Sequence, residues 1–344
     1  MRYSIARDTL ATALGFAVAF LPVQGFASGN KIALVPGGPH PYFAGWVQAE
    51  QDAAKDFSIS SAEYKVPTEW KLQAQTELLE SLAAQGVNAF GFFPGDPVGI
   101  NSTLAEFKSN NIPAIAIAGC TQDPTDADFC FATDVYQAAY MGTKALIQSM
   151  GGKGAIVHLA GLLVDPNTTL REKAVEKAVS ETNGVVTLLQ TIGDTDDQEK
   201  GDQKVNALLA AKKDQVGGII ATAYISSVVA TKALRNLGDK RIKLVGIDDD
   251  KIVLDGIRDG FVAGTVAQNP YGQAYVGTYS LDLLASGCSV KPDAPWITTP
   301  QTAHFIDSGT VLVTLSNIDA YKEELKALSH KMQKTFKDTY LACK

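Results

Sequence analysis

The chain has 344 residues and a formal net charge of −7, with no basic block. An acidic surface repels phosphate backbones, which excludes nucleic acid as a partner. The length exceeds what one hydrophobic core usually supports, so two domains are expected.

The first 27 residues read as an export signal rather than as part of the fold. Arg2 and Arg7 precede an apolar stretch from about Leu10 to Val23, and Gly25-Phe26-Ala27 supplies the small side chains that signal peptidase needs before Ser28. The apolar stretch is too short for a comfortable membrane span, and nothing like it follows. No cysteine stands at the expected cut after Ala27, so neither a lipid anchor nor direct membrane insertion is expected. Export permits disulfides. Cys120 and Cys130 flank the polar excursion TQDPTDADF and would close it into a loop, which leaves Cys288 with Cys343. Spacing alone proves neither pairing, and no CxxC suggests metal or redox work.

Seven short apolar runs follow along the chain: KIALV, NAFGFF, AIAIA, AIVHLA, GGIIAT, IKLVGI and VAGTVA. They are apolar throughout rather than alternating, as strands covered on both faces must be, which implies parallel sheets between helices. Helical periodicity separates them. Leu72, Leu79, Leu82 and Ala83 share one face of a helix that Gly86 ends, and Leu170, Ala174, Val175 and Ala178 share a face of another. The alternation runs from Lys31 to about Ala118 and restarts at Gly154, after the glycines of GGKG. Two α/β units of similar size, with a crevice at the carboxyl ends of their strands, are the expected architecture.

The exit of the first strand, LVPGGPHPYF, is the stretch most unlike a connector. Gly37 and Gly38 permit a close backbone approach, the prolines stiffen the turn, and Tyr42 and Phe43 offer flat apolar area. Enzyme chemistry is not evident. The loop lacks both the Lys-Ser/Thr ending of a phosphate cradle and GxGxxG spacing, and GxSxG and HExxH are absent. The four histidines, His40, His158, His304 and His330, are scattered, and His158 inside AIVHLA reads as a core residue. The acidic stretch DTDDQEK fails the calcium-loop pattern, with Glu199 where glycine is needed and Val205 where the last carboxylate belongs. It reads instead as a helix start capped by Asp194 or Thr195. No cofactor and no metal are expected.

At this point the residues resemble a known family, the periplasmic sugar-binding proteins of the ribose-binding type, soluble receptors of ABC importers. The resemblance rests on His40-Pro41-Tyr42-Phe43, QGVNAFGFFPGD, Asn111-Ile112-Pro113, Ala132-Thr133-Asp134, VGIDDD and TVAQNP, in that order and spacing. It implies two Rossmann-like lobes with parallel sheets flanked by helices, joined by a three-strand hinge. The crossings would lie near Thr133, Gln268 and Ile306. The N-terminal lobe would hold residues 28–132 plus 269–305, and the C-terminal lobe 133–268 plus 306–344, including the final helix.

The same resemblance implies a ligand site at His40, Tyr42 and Phe43 from one lobe and Asp248 from the other, with Gln268 at the hinge. Carboxylates and amides suit adjacent hydroxyls, and flat rings suit the C–H face of a sugar. The chain departs from the family where relatives carry an Asp-Arg pair, here Ala118-Gly119, and an Asn-Asp, here Ala223-Tyr224. Thr169 stands where a sugar-contacting Arg is usual, with Arg171 two residues on. Replacement anchors are Glu69 and Trp70, Asp96, and Asp165 or Asn167, although Asp96 and Asp165 precede prolines and also suit turns; Thr169, Tyr224 and Asp248 would act from the second lobe. These departures suggest a ligand other than ribose, held more by stacking than by polar anchors. The expectation is a monomeric periplasmic receptor for a small neutral sugar or polyol that closes about its ligand and then docks on the importer's permease subunits. The rivals are a receptor for a furanone-type signal molecule or rhamnose, suggested by KVPTEWKLQAQ, a sugar-responsive repressor, which would need a basic helix-turn-helix, and a nucleotide-dependent α/β enzyme.

Overall fold

The computed structural model describes residues 28–344, so the export signal expected over 1–27 lies outside the described residues. β1 (Ser28–Val35) leads through one 3-10 turn (Pro41–Phe43) into α1 (Ala44–Asp56). The alternation continues with β2 (Ile59–Tyr64), α2 (Leu72–Ala84), β3 (Ala89–Phe92), α3 (Asn101–Ser109), β4 (Ala114–Ile117) and β5 (Cys130–Ala132). α4 (Val135–Ser149) opens a second series. It runs through β6 (Gly154–Leu159), α5 (Pro166–Ser180), β7 (Val186–Ile192), α6 (Gln198–Lys212) and β8 (Gly218–Ala221). α7 (Tyr224–Leu237), β9 (Lys243–Ile247), α8 (Lys251–Arg258) and β10 (Gly264–Ala267) complete it. The chain ends with α9 (Pro270–Ala285), β11 (Ser289–Val290), β12 (Phe305–Asp307), β13 (Val311–Val313), α10 (Tyr321–Tyr340) and β14 (Leu341–Ala342).

Two six-stranded sheets share one design. One has the order β12-β5-β4-β3-β1-β2 and the other β13-β10-β9-β8-β6-β7. All pairings in the first are parallel, and in the second only β13 runs antiparallel, against β10. The strand order reverses between β1 and β3 in one sheet and between β6 and β8 in the other. That reversal opens a crevice at the carboxyl ends of the strands. β3, β4, β8 and β10 are buried at every position, because helices cover both faces of each sheet. On the first sheet, Trp46 and Ala49 of α1 pack with Ala274 and Val276 of α9 on one side. Leu79 and Leu82 of α2 pack with Leu104 and Phe107 of α3 on the other. The second sheet is covered by α6, α7 and α8 on one face and by α4 and α5 on the other.

Two expectations about the lobes need correction. The third crossing lies near Ile306, but Ile306 and Asp307 pair with Phe131 and Ala132 in the first sheet, so the lobe boundary falls after Asp307 and not before Ile306. The Asp307 carboxylate ties that crossing to the first one, accepting from the backbone N–H of both Asp134 and Gly309 at 3.0 Å. Secondly, the final helix does not belong to the second lobe alone. Tyr321 and Leu325 at its start join the second-lobe core, whereas Phe336 and Leu341 join the first. β14 pairs with β11, and a Cys288–Cys343 disulfide fastens the end of the chain to the segment after α9. A second disulfide, Cys120–Cys130, closes the loop before β5. Among the described residues no helix is long and apolar enough to cross a membrane.

Candidate functional site

A cavity of about 120 Å³ lies between the lobes, and every residue around it follows the carboxyl end of a strand. The first lobe contributes rings. His40 caps the 3-10 turn after β1, its Nδ1 accepting the Tyr42 backbone N–H at 3.2 Å. Phe43 is buried, with Trp46 4.8 Å and Phe93 5.6 Å away between ring centroids. Trp70, after β2, reaches the cavity with its ring 5.4 Å from that of Phe93 and remains 36% exposed. The close approach that Gly37 and Gly38 permit is made by this tryptophan. A Cβ on Gly38 would sit 2.7 Å from Trp70 Cα, and one on Gly37 would sit 3.0 Å from the indole ring.

The second lobe contributes charge. In the turn after β6, Asp165 caps α5 by accepting the Asn167 N–H at 2.9 Å, with Pro166 in the first helical position, where its missing N–H costs nothing. Arg171, farther along α5, is 8% exposed and its Nε has no hydrogen-bond partner. After β7, Asp196 is held by the Ile225 N–H at 2.8 Å on Oδ1, which leaves Oδ2 3.5 Å from His40 Nε2 across the cleft. Tyr224, at the start of α7, donates its hydroxyl to Asp250 at 3.0 Å, and its ring lies 5.8 Å from that of His40.

The three aspartates after β9 divide their work. Asp250 caps α8 through the Ile252 N–H, and Asp249 accepts the Tyr321 hydroxyl. Asp248 adopts φ 70°, a left-handed conformation uncommon outside glycine, and its carboxylate faces the cavity, accepting the Gln268 amide N–H at 2.8 Å. Burial pushes its carboxyl up to about 7, against the Gln268 hydrogen bond and the Arg171 charge. Burial likewise raises Asp165, against the pull of Arg171 and the Asn167 N–H. Tyr42 is raised by burial and then by Asp248, so its hydroxyl stays protonated and donates to Gln273 at 2.8 Å.

Among the expected site residues, His40, Tyr42, Phe43, Trp70, Asp165, Arg171, Tyr224, Asp248 and Gln268 come together on this cavity. Asp96 and Thr169 do not. The Asp96 carboxylate is turned to its own loop, accepting the Val98 and Gly99 N–H groups ahead of α3, and Thr169 points to solvent from the outer face of α5. Asp196 and Phe93 line the cavity without having been singled out. The DTDDQEK stretch that holds Asp196 has its helix cap at Asp197, not at Asp194 or Thr195. With Asp165, Asn167, Arg171, Asp196, Asp248 and Gln268 all present, the polar set is fuller than the departures from the family suggested. His158 is wholly buried and bonded to Thr222 at 2.7 Å, a core residue away from the cavity.

Comparison with known proteins places this arrangement. The xylitol-binding protein of Mycolicibacterium smegmatis is 26% identical over 69% of this chain and 67% of its own length. A D-apiose import binding protein of Actinobacillus succinogenes is 23% identical over 75% of this chain and 82% of its own. Among solved structures, an ABC transporter solute-binding protein of Burkholderia graminis in complex with D-arabinose superposes with a TM-score of 0.74 at 19% identity. It covers 86% of this chain and 99% of that one, a likeness of fold. The profile of the family described as periplasmic binding protein domain matches residues 32–288. That match takes in the crevice and every strand of the two sheets except the edge strands β12 and β13, and the chain belongs to the periplasmic binding protein family.

Proposed function

We propose that this protein is the periplasmic substrate-binding component of an ABC importer and that it takes a sugar or sugar alcohol into the interlobe cavity. The observation that carries this reading is the division of the cavity into two unlike walls. Rings, most of them from the first lobe with Tyr224 added by the second, suit C–H faces, while carboxylates, an amide and a guanidinium from the second lobe suit hydroxyls. Asp165, Asp196 and Asp248 outnumber the single guanidinium of Arg171, so the site favours a neutral ligand over an anionic one. The relatives named for xylitol and apiose support the same class. No group in the cavity is assigned a catalytic role, and the closed form would present the ligand to the importer's membrane subunits.

Titration calorimetry against aldopentoses, ketohexoses, apiose and a series of alditols tests the proposal. One compound or a few close stereoisomers should bind, and Tyr42→Ala combined with Asp248→Ala should abolish that binding. Failure of the whole panel, or binding that survives the double substitution, overturns it.

A further inference from the structure

The first and third crossings meet at one buried side chain just beyond the second. Gln273 lies in the first turn of α9, its backbone N–H donating at 2.9 Å to the carbonyl of Asn269, the cap of that helix. Gln273 and Ser308 are wholly buried, and Thr133 is 3% exposed. The Gln273 amide donates once to each of two crossings: to Thr133 Oγ1 at 3.2 Å in the first and to Ser308 Oγ at 3.0 Å in the third. Its Oε1 accepts the hydroxyl of Tyr42 at 2.8 Å, and Tyr42 is part of the cavity wall. Asn269, from the second crossing, donates to the Ser308 carbonyl at 2.9 Å.

We infer that Gln273 is a positioning residue that couples the cavity to the hinge: through its planar amide, the placement of the Tyr42 ring sets the geometry of the first and third crossings. A buried amide cannot exchange a lost partner for water, so its three bonds move together or one is broken at a cost. Rotation of one lobe about the crossings displaces Thr133 and Ser308, which reorients the amide and hence the Tyr42 hydroxyl. In the reverse direction, a molecule packed on the Tyr42 ring holds the amide and so narrows the rotations open to the hinge. The inference adds to the proposed function a residue outside the cavity, and it depends on that function only for what fills the cavity.

Pulsed electron resonance between spin labels at exposed Glu106 on α3 and Lys173 on α5 reads the lobe separation with no ligand present. Tyr42→Phe keeps the ring and removes the hydroxyl, and Gln273→Leu removes the amide. Gln273→Glu keeps oxygens that accept from the hydroxyls of Tyr42, Thr133 and Ser308. Each of the first two variants should broaden or shift the distance distribution, the pair together should do no more than the stronger single change, and Gln273→Glu should restore part of the wild-type distribution. For whichever compound the calorimetric panel identifies, Tyr42→Phe, which removes one hydrogen bond, should weaken binding roughly threefold to tenfold, and Gln273→Leu, which removes three, by at least as much. If Gln273→Leu does not fold, Tyr42→Phe decides alone. A wild-type distribution in Tyr42→Phe, or single effects that add in the double variant, overturns the inference. A panel in which nothing binds defeats the proposed function and leaves the label distances to decide the hinge.

Discussion

Replacing Asp248 by Asn should make the ligand-free protein more stable at alkaline pH and leave its stability in acid unchanged. Asp248 is 6% exposed, and its carboxyl is raised from 3.8 to about 7, chiefly by burial. Between those two values the folded protein holds a proton that the unfolded chain has released. The folded state therefore binds more protons across that window, and stability falls as pH rises through it. At about 1.36 kcal/mol per unit, a rise from 3.8 to about 7 costs roughly 4 kcal/mol once both states are ionised. Asn keeps an oxygen for the Gln268 N–H, which donates to Asp248 Oδ1 at 2.8 Å, and brings no charge to bury. Glu50 and Asp128 are also raised by burial, so the pH dependence of the wild type is a composite. The difference between wild type and Asp248→Asn isolates one group. Urea unfolding followed by tryptophan fluorescence should show that difference growing from nothing near pH 4 to a few kcal/mol near pH 8. A difference that stays flat, or a wild type that gains on the variant as pH rises, refutes the burial argument.

Gly38→Ala would put a methyl 2.7 Å from Trp70 Cα, and the displaced loop should cost about 1–3 kcal/mol. The ligand-induced change in tryptophan fluorescence should weaken with it, and a variant as stable and as responsive as wild type would show that Trp70 is not wedged against the loop. Asp96→Ala should lower stability by about 1 kcal/mol, the worth of a cap-like carboxylate, without changing affinity in calorimetry, and Thr169→Ala should change neither. The Cys288–Cys343 bridge spans 55 residues and Cys120–Cys130 spans 10. Loop-closure entropy gives about 4 and about 3 kcal/mol respectively, so replacing the first pair with serine should lower the unfolding midpoint further, and the reverse order contradicts the entropic account.

The strands legible in the sequence were those covered on both faces, because continuous apolar runs mark them. β2 and β7 stand at the sheet edges with half-exposed patterns, so neither ISSAEY nor VTLLQTI shows as an apolar run; the family resemblance implies a strand ahead of Glu69 and Trp70 but left VTLLQTI unread. Asp196 escaped notice for this reason, since it follows an unrecognised strand. β12 and β13 have three residues each, too few for any periodicity, and the lobe boundary there was set two residues early. The family resemblance assigned the final helix to the second lobe, but nothing in its sequence says which lobe each end would meet. Likewise, VGIDDD announced a carboxylate at a strand exit, while the assignment of cavity, Tyr321 and cap to Asp248, Asp249 and Asp250 depends on the left-handed backbone at the first of them.

The two unlike walls also explain why closure should wait for a ligand. Rings can pack against rings at no polar cost, but Asp165, Arg171, Asp196 and Asp248 cannot be covered by Phe43, Trp70 and Phe93 without losing water. Each buried polar group left unpaired costs about 1–3 kcal/mol, so a dry, empty closed form is disfavoured in proportion to the charge on one wall. A molecule with hydroxyls on one side and C–H groups on the other satisfies both walls at once. Moving a two-state equilibrium from 1:99 to 99:1 takes about 5.5 kcal/mol of differential binding. Hydrogen bonds to charged groups contribute roughly 1.5–3 kcal/mol each, so two to four of them, made only when the lobes meet, are enough. The charged wall offers that number. Removing one charge at a time should therefore reduce closure in steps, whereas removing a ring should weaken binding with less effect on how far the lobes close.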